Sequence, residues 1–504
     1  MHRALLIPEV IATVCSLSHR KDVRNMSKVC HAWRDQALDH LWKTLARDAL
    51  DKLFSTLPRE VYRRKRQFPV LRNRVYTSIF VMVVFSRKLL QIFTVQPRWV
   101  RPPSQDEYDQ LYTITSRIQV LRVLSNRQLI DMLVRHPPAN PLFPRLTDLS
   151  VYILCDDVVH DEELTPFSST VLSKLRVSLT PSEKKPRLDI DALCACCASD
   201  VLITLAVFGL RTMPNIVGVR KDVLRQLDVD DLNDEGYAVA AALPALETLR
   251  IVTPREDPPS FTKLSSVGRP FHALRTLELR AAAYKGSPYR GLIANFLRHC
   301  GILTLSTLTI DLDLPDVCDG ERRPTDHWHE LFQALASHCY HESLRHLDVR
   351  DGSELAVLDG DDIRMLLPFT HLETVSLENR GGIAISNSHI VSLMQAWPSL
   401  QTLSLVQPME DASLADDAED LVDSDGEALE KIDTPVVYTC TVLGLLEIAR
   451  RATSLHALTL SVDFSDIPQQ LGDRPFDNNV TSLELRGGQR SPEGRRTSLV
   501  CRVP

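Results

Sequence analysis

Residues 246–251 (LETLRI), 274–279 (LRTLEL), 305–310 (LSTLTI), 344–349 (LRHLDV), 372–377 (LETVSL) and 400–405 (LQTLSL) share one pattern, L-x-x-L-x-L. Alternation of apolar and polar residues predicts a short strand with one buried face. With Ile or Val admitted at the apolar positions, copies begin at Ile118, Leu146, Leu172, Leu202, Leu224, Leu246, Leu274, Leu305, Leu344, Leu372, Leu400, Leu455 and Val480.

Successive starts lie 22 to 31 residues apart, except for intervals of 39 and 55. The longest interval holds an acidic insertion, Pro408 to Thr434. Between the motifs, Gly291 to Cys300, Trp328 to Cys339, Ser388 to Trp397 and Val442 to Arg451 carry apolar residues at spacings of three and four, which predicts amphipathic helices. One strand and one helix cannot bury their own apolar faces, but stacked units can. The period matches leucine-rich repeats, whose units run roughly 20–29 residues. The expected fold is therefore α/β: an irregular leucine-rich-repeat solenoid over 118–486, about 13 repeats of short parallel strands with outer helices. A doubly wound α/β domain is the competing reading, and the glycine-rich phosphate turns it would need are missing.

Cys197, Cys300 and Cys339 each precede a repeat start by five residues, which predicts one shared packing position at the end of a helix. This resembles the cysteine-containing class of leucine-rich repeats. That family often has Asn at the ninth position of the unit. Here only Asn126 fits; Pro254, Gly352 and Arg380 stand there in other copies, so uneven loops are expected.

Composition is that of a globular protein, 44% hydrophobic and 24% charged over 504 residues. The net charge of −7 comes from the insertion, which holds 11 acidic residues and one lysine; residues 1–74 carry 16 basic against 7 acidic. Eleven cysteines without regular pairs fit a reducing compartment. Pro8 and Glu9 interrupt the first apolar run, so no signal peptide is expected. The most apolar stretch, Val75 to Val95, has an uninterrupted core of only Ile79 to Phe85, too short to span a bilayer. The chain is expected to be soluble, cytoplasmic or nuclear.

Residues 5–42 read LLIPEVIATVCSLSHRKDVRNMSKVCHAWRDQALDHLW. Pro8 suits the first turn of a helix and Glu9 its positive end. Asp22 reads as the N-cap of a second helix, and Val23, Met26, Cys30, Trp33, Ala37 and Leu41 follow at helical spacing. In order and spacing, Ile7-Pro8-Glu9, Asp22-Val23, Val29-Cys30 and Trp33-Arg34 resemble the F-box. It departs at Ile7, where Leu is usual, and at Cys15-Ser16-Leu17, where Phe-Ser-Leu is common. The overall layout is similar to the large F-box families of mushroom-forming fungi. The resemblance implies a three-helix domain over 1–45 that binds the Skp adaptor and, through it, a cullin ubiquitin ligase. Carried over by position, the adaptor-facing residues are Ile7, Pro8, Glu9, Val10, Val14, Leu17, Val23, Val29, Cys30 and Trp33. The alternative is a helical cap over the open end of the solenoid.

Residues 46–117 are expected to be a linker or helical connector. Arg63 to Arg66 reads as a solvated basic run more readily than as a nuclear-import signal. The insertion is expected to be disordered, with Ser424 among acidic neighbours as a candidate kinase site, and residues 487–504 form a loose tail. Nucleophile elbows, phosphate loops and zinc spacings are missing, so no catalytic residue, cofactor or metal is expected. Cys194, Cys196 and Cys197 read as core. His299-Cys300 and His338-Cys339 belong to separate units, and His327 and His329 read as capping groups.

In each strand the residues between the apolar ones face the concave side. Thr204, Thr248, Thr276, Thr307, Thr374 and Thr402 there predict a structural ladder. Arg250, Glu278, Arg280, Asp311, Asp348, Arg350 and Glu378 predict a charged stripe that contacts a protein substrate. The functional expectation is a non-enzymatic substrate adaptor of a cullin ubiquitin ligase, with partners that are proteins rather than nucleic acid or membrane. The alternative is a repeat scaffold with a helical cap.

Overall fold

The computed structural model describes residues 7–45, 49–66, 95–124, 133, 135–153, 167, 169–179, 201–208, 222–230, 232–253, 259–282, 289–313, 327–352, 357–407, 440–463 and 480–486. The apolar segment up to residue 94, the cysteines at 194, 196 and 197, Asn126, the acidic insertion and the C-terminal tail lie outside them. The chain divides into two compact units that part near residues 210–225.

The first unit opens with helices α1 (Pro8–Leu17), α2 (Arg20–Met26) and α3 (His31–Trp42), with α1 and α2 packed on α3. Pro8 takes the first turn of α1 after the extended Ile7, where its missing N–H leaves no carbonyl unsatisfied. α2 begins at Arg20 behind His19, so Asp22 is not its N-cap; it sits in the first turn, where its charge still meets the positive helix end. The short β1 (Thr44–Leu45) follows α3 directly. Next come α4 (Ala49–Phe54), an antiparallel pair β2 (Tyr62–Arg66) and β3 (Val95–Trp99), and α5 (Gln105–Thr115). The described parts of the expected connector, 49–66 and 95–117, thus form helices and strands of their own. Ser104 and Glu107 close a capping box at the start of α5, and Arg101 pairs with Glu107 at 2.7 Å. The Arg101 guanidinium holds the Glu107 carboxyl down to about 2. Strands β4 (Val120–Leu124), β5 (Asp148–Ile153), β6 (Lys174–Leu179) and β7 (Thr204–Phe208) then pair in parallel, and β1 extends β4 on the other side. The sheet of this unit therefore starts at Thr44, ahead of the first motif.

The second unit continues with β8 (Gln226–Val229), α6 (Asp234–Ala241), β9 (Thr248–Thr253), β10 (Thr276–Ala282), α7 (Tyr289–His299), β11 (Thr307–Asp313), α8 (His327–His338) and β12 (His346–Asp351). After β12 come β13 (Leu358–Asp359), α9 (Gly360–Arg364), β14 (Thr374–Asn379), β15 (Ile383–Ala384), α10 (Asn387–Ala396) and β16 (Thr402–Val406). β17 (Cys440–Thr441), α11 (Val442–Arg451), β18 (Ala457–Asp463) and β19 (Ser482–Arg486) complete it. Its main sheet is parallel in the order β8-β9-β10-β11-β12-β14-β16-β18, with β17 and β19 also on β18. β13 and β15 make a small separate pair.

Every one of the thirteen motifs supplies a strand that begins two residues after its start. The register is strict: Leu249, Leu277, Leu308, Leu347, Val375 and Leu403 stand side by side, and each is fully buried. Burying such a side chain stabilises by roughly 1.5–3 kcal/mol, so the ladder of leucines is the main cohesive term between repeats. All four predicted helices form within two residues of their expected bounds; α7 packs on α8 and α10 on α11. Cys300 and Cys339 are buried just past the ends of α7 and α8, and a parallel bridge joins Leu303 to Cys339. Two glycines are dictated by space and geometry. A Cβ at Gly360 would lie 2.1 Å from Nδ1 of His389, and Gly382 turns the chain at φ 94°.

Candidate functional site

The site residues expected from the sequence fall on two surfaces. The first is the N-terminal helical trio. Its interior is Ile11, Cys15, Val23 and Ala37, with Met26, Trp33 and Leu41 packed against them. Such a small core cannot cover every apolar side chain. Ile7 is 46% exposed, Leu17 84% and Val29 61%. Pro8 and Glu9 are also exposed, while Val10, Val14, Cys30 and Trp33 are half-buried. Val23 is the exception among the ten expected contacts: it is fully buried and holds α2 against its neighbours, so it cannot face a partner.

The trio is also tied to the first repeats. β1 pairs in register with Val120 and Leu121 of β4. Arg117, just before β4, donates to the carbonyl of Asp35 at 3.0 Å and to the carboxylates of Asp35 and Asp39.

The second surface is the polar face of the sheet in the second unit. The seven expected residues lie there in two adjacent rows. One runs Arg250–Glu278–Thr309–Asp348, the other Arg280–Asp311–Arg350–Glu378, each across neighbouring strands. Sequence places them on a face; the structure adds who pairs with whom. Arg250 bonds Glu278 and lies 3.9 Å from the buried Asp228. Arg280 reaches Glu278 at 2.7 Å. Arg350 lies 3.2 Å from Asp348 and 3.9 Å from Glu378, and Asp348 first, with Glu378 and Asp311, pushes its pKa up. Each arginine of the stripe is therefore already matched by a carboxylate. Such a face offers a partner defined hydrogen-bonding positions at low net attraction.

The threonine ladder is interrupted. Thr248, Thr276 and Thr307 are consecutive and Thr374 pairs Thr402, but His346 stands between the two groups and Thr204 lies beside Lys174.

Buried polar groups that the motif did not reveal line the ends of two strands. Asp351 and Asn379 are neighbours in register and are 1% and 0% exposed. Asn379 Nδ2 donates to the carbonyl of Gly382 at 2.6 Å. It does the work expected of an asparagine at the ninth position from the eighth, one residue early.

The histidines and cysteines are structural in their contacts. His299 Nδ1 lies 2.8 Å from the carbonyl of Asn295 in its own helix. His329 lies in the first turn of α8, and its Nδ1 faces Asp362 of α9 at 3.6 Å. Burial pushes the Asp362 carboxyl up to about 6, with Asp359 adding to it. Burial likewise raises the Cys300 thiol, and takes Cys339 up to about 12, so both stay protonated and poor nucleophiles at neutral pH. Among the described residues, no group of three or more His, Cys, Asp or Glu is placed to hold a metal ion, and no helix is long and apolar enough to cross a membrane.

No family model and no curated protein matches the chain. Among solved structures, an internalin from Listeria monocytogenes is similar at 15% identity and a TM-score of 0.38, over 79% of this chain and 92% of that one. The leucine-rich-repeat architecture rests on the strand register itself.

Proposed function

We propose that this protein is a non-enzymatic adaptor: its N-terminal helices bind a Skp-type adaptor and through it a cullin ubiquitin ligase, and its repeats hold a protein substrate. The observation that carries the reading is the exposure of Ile7, Leu17 and Val29 on a three-helix segment with its own small core. Apolar side chains left outside a core mark a partner site. The segment also has the residue order of an F-box, and the repeats that follow offer rows of polar groups held in register.

A second reading has its own support. The β1–β4 pairing and the Arg117 contacts join the helices to the first repeats, as a terminal cap would be joined. The two readings part on one experiment. Pull-down of the Skp adaptor by the full chain should be lost on Leu17→Asp with Val29→Asp, both at exposed positions that a cap does not need. Retention of the adaptor by that variant contradicts the adaptor reading. For the stripe, charge reversal at Arg280 and Arg350 together should reduce recovery of the bound substrate from cells; unchanged recovery counts against it.

A further inference from the structure

The polar sheet faces of the two units differ in one respect. In the second unit every arginine of the stripe has a carboxylate partner. In the first unit Arg122 of β4, and Lys174 and Arg176 of β6, are exposed and meet no carboxylate among the described residues. Arg122 and Arg176 each stand between buried apolar residues (Leu121 and Val123, Leu175 and Val177), and Lys174 lies two residues before Arg176 on the same strand, so the three side chains share one face. Register sets Arg122, Ser150, Arg176 and Ala206 in one row, with Val120, Asp148, Lys174 and Thr204 beside it. Ser150, between the two arginines, and Ala206, on the far side of Arg176, are small and buried, so they form a low floor beside the taller arginines. Tyr152 and Phe208 stand half-buried in the next row. Asp148 is the one carboxylate within these rows, against three cations.

We infer that this face is a binding site for an acidic, extended segment of a protein partner. Arg122 and Arg176 lie two strands apart, roughly 10 Å at the usual strand spacing. A polyproline-II segment brings residues i and i+3 to the same side about 9 Å apart, so carboxylates at every third residue match the two guanidinium groups. Lys174, two residues from Arg176 along the strand, adds a third cation in the neighbouring row. The guanidinium is the better group for carboxylates because its fork is planar and needs little reordering. Three cations beside one carboxylate are too few for the long phosphate track that a nucleic acid requires. The site rests on the reading that the repeat faces take a protein partner, but not on the Skp adaptor. A chain that ignores that adaptor can still pass the test below.

The test is fluorescence anisotropy with the full chain at low salt, using a labelled peptide of Pro-Pro-Glu repeats and a Pro-Pro-Lys peptide as its charge-reversed control. The acidic peptide should bind and the basic one should not. Arg122→Gln with Arg176→Gln should weaken binding roughly tenfold, the effect of removing two exposed charge contacts. Arg345→Gln removes a charge already paired with Glu373 and should leave binding unchanged. Both variants lie at exposed positions, and equal melting curves will show that they fold. Failure of the wild type to bind the acidic peptide, or equal binding by the Arg122/Arg176 variant, overturns the inference. Equal competition by a single-stranded oligonucleotide also overturns it, since the site would then answer to any polyanion.

Discussion

Arg117 and Asp39 form an ion pair that fastens the third N-terminal helix to the start of the first repeat. The same guanidinium donates to the carbonyls of Asp35 and Thr113 and to the Asp35 carboxylate, so one side chain serves four acceptor groups on three residues. It is 24% exposed, which leaves it only partly screened. Arg117→Ala should destabilise the protein by about 1–2 kcal/mol, read from urea unfolding, because hydrogen bonds to charged groups exceed an exposed ion pair in value. Faster amide exchange in α3 of that variant would place the loss at this junction.

Leu377 lies in the second apolar row of the sheet and is 1% exposed. Leu377→Ala should cost about 2–5 kcal/mol, transfer and cavity together. Ser376→Ala, one residue away on the polar face, should change stability by less than about 0.5 kcal/mol. Equal effects of the two would mean that the leucine ladder is not what binds neighbouring repeats.

Asn379→Ala removes the donor to Gly382 at a site with no access to water. A loss of about 1–3 kcal/mol is expected, the cost of leaving a buried polar group unsatisfied. Gly382→Ala should also destabilise, through its positive φ. Chemical denaturation of the two single variants and the double variant measures whether they act as one turn.

Two carboxyls should leave opposite marks on stability against pH. Asp362 has a folded pKa of about 6, above the ordinary 3.8, so the folded state binds its proton more tightly. Stability from this group is greatest in acid and falls as pH rises from 3.8 to about 6, and Asp362→Asn should abolish that slope. Glu107 is the reverse case: held down to about 2 by Arg101, it contributes above its ordinary 4.5 and loses the contribution as pH falls from there towards about 2. Glu107→Gln should flatten the acid limb alone. Melting temperature across pH, for each variant, checks both signs.

The strands were legible because their signal is periodic and repeated. A weak copy, such as the one that opens on Val480 in place of Leu, is supported by twelve others of the same pattern. The helices α7, α8, α10 and α11 were legible for the same reason, each carrying a long apolar stripe. What escaped was short or paired at a distance. β1, β13, β15 and β17 have two residues each, too few for any alternation to show. The β2–β3 pair joins segments almost thirty residues apart, with no turn signal between them. Asn379 sits one position early, so a search at the ninth position of the repeat passes over it. The charged stripe could be placed on a face from its spacing, but that Arg250 serves Glu278 rather than a partner depends on the register between strands. Val23 reads like its exposed neighbours because helical spacing alone does not say which apolar residue of a small trio points inward.

Co-expression with a Skp adaptor followed by size-exclusion chromatography tests the account most directly. The account predicts a stable one-to-one complex that elutes together and is lost when Leu17 and Val29 are both changed to aspartate. A folded chain that elutes alone, with the adaptor in its own peak, would contradict it and leave the helices as a cap on a repeat scaffold.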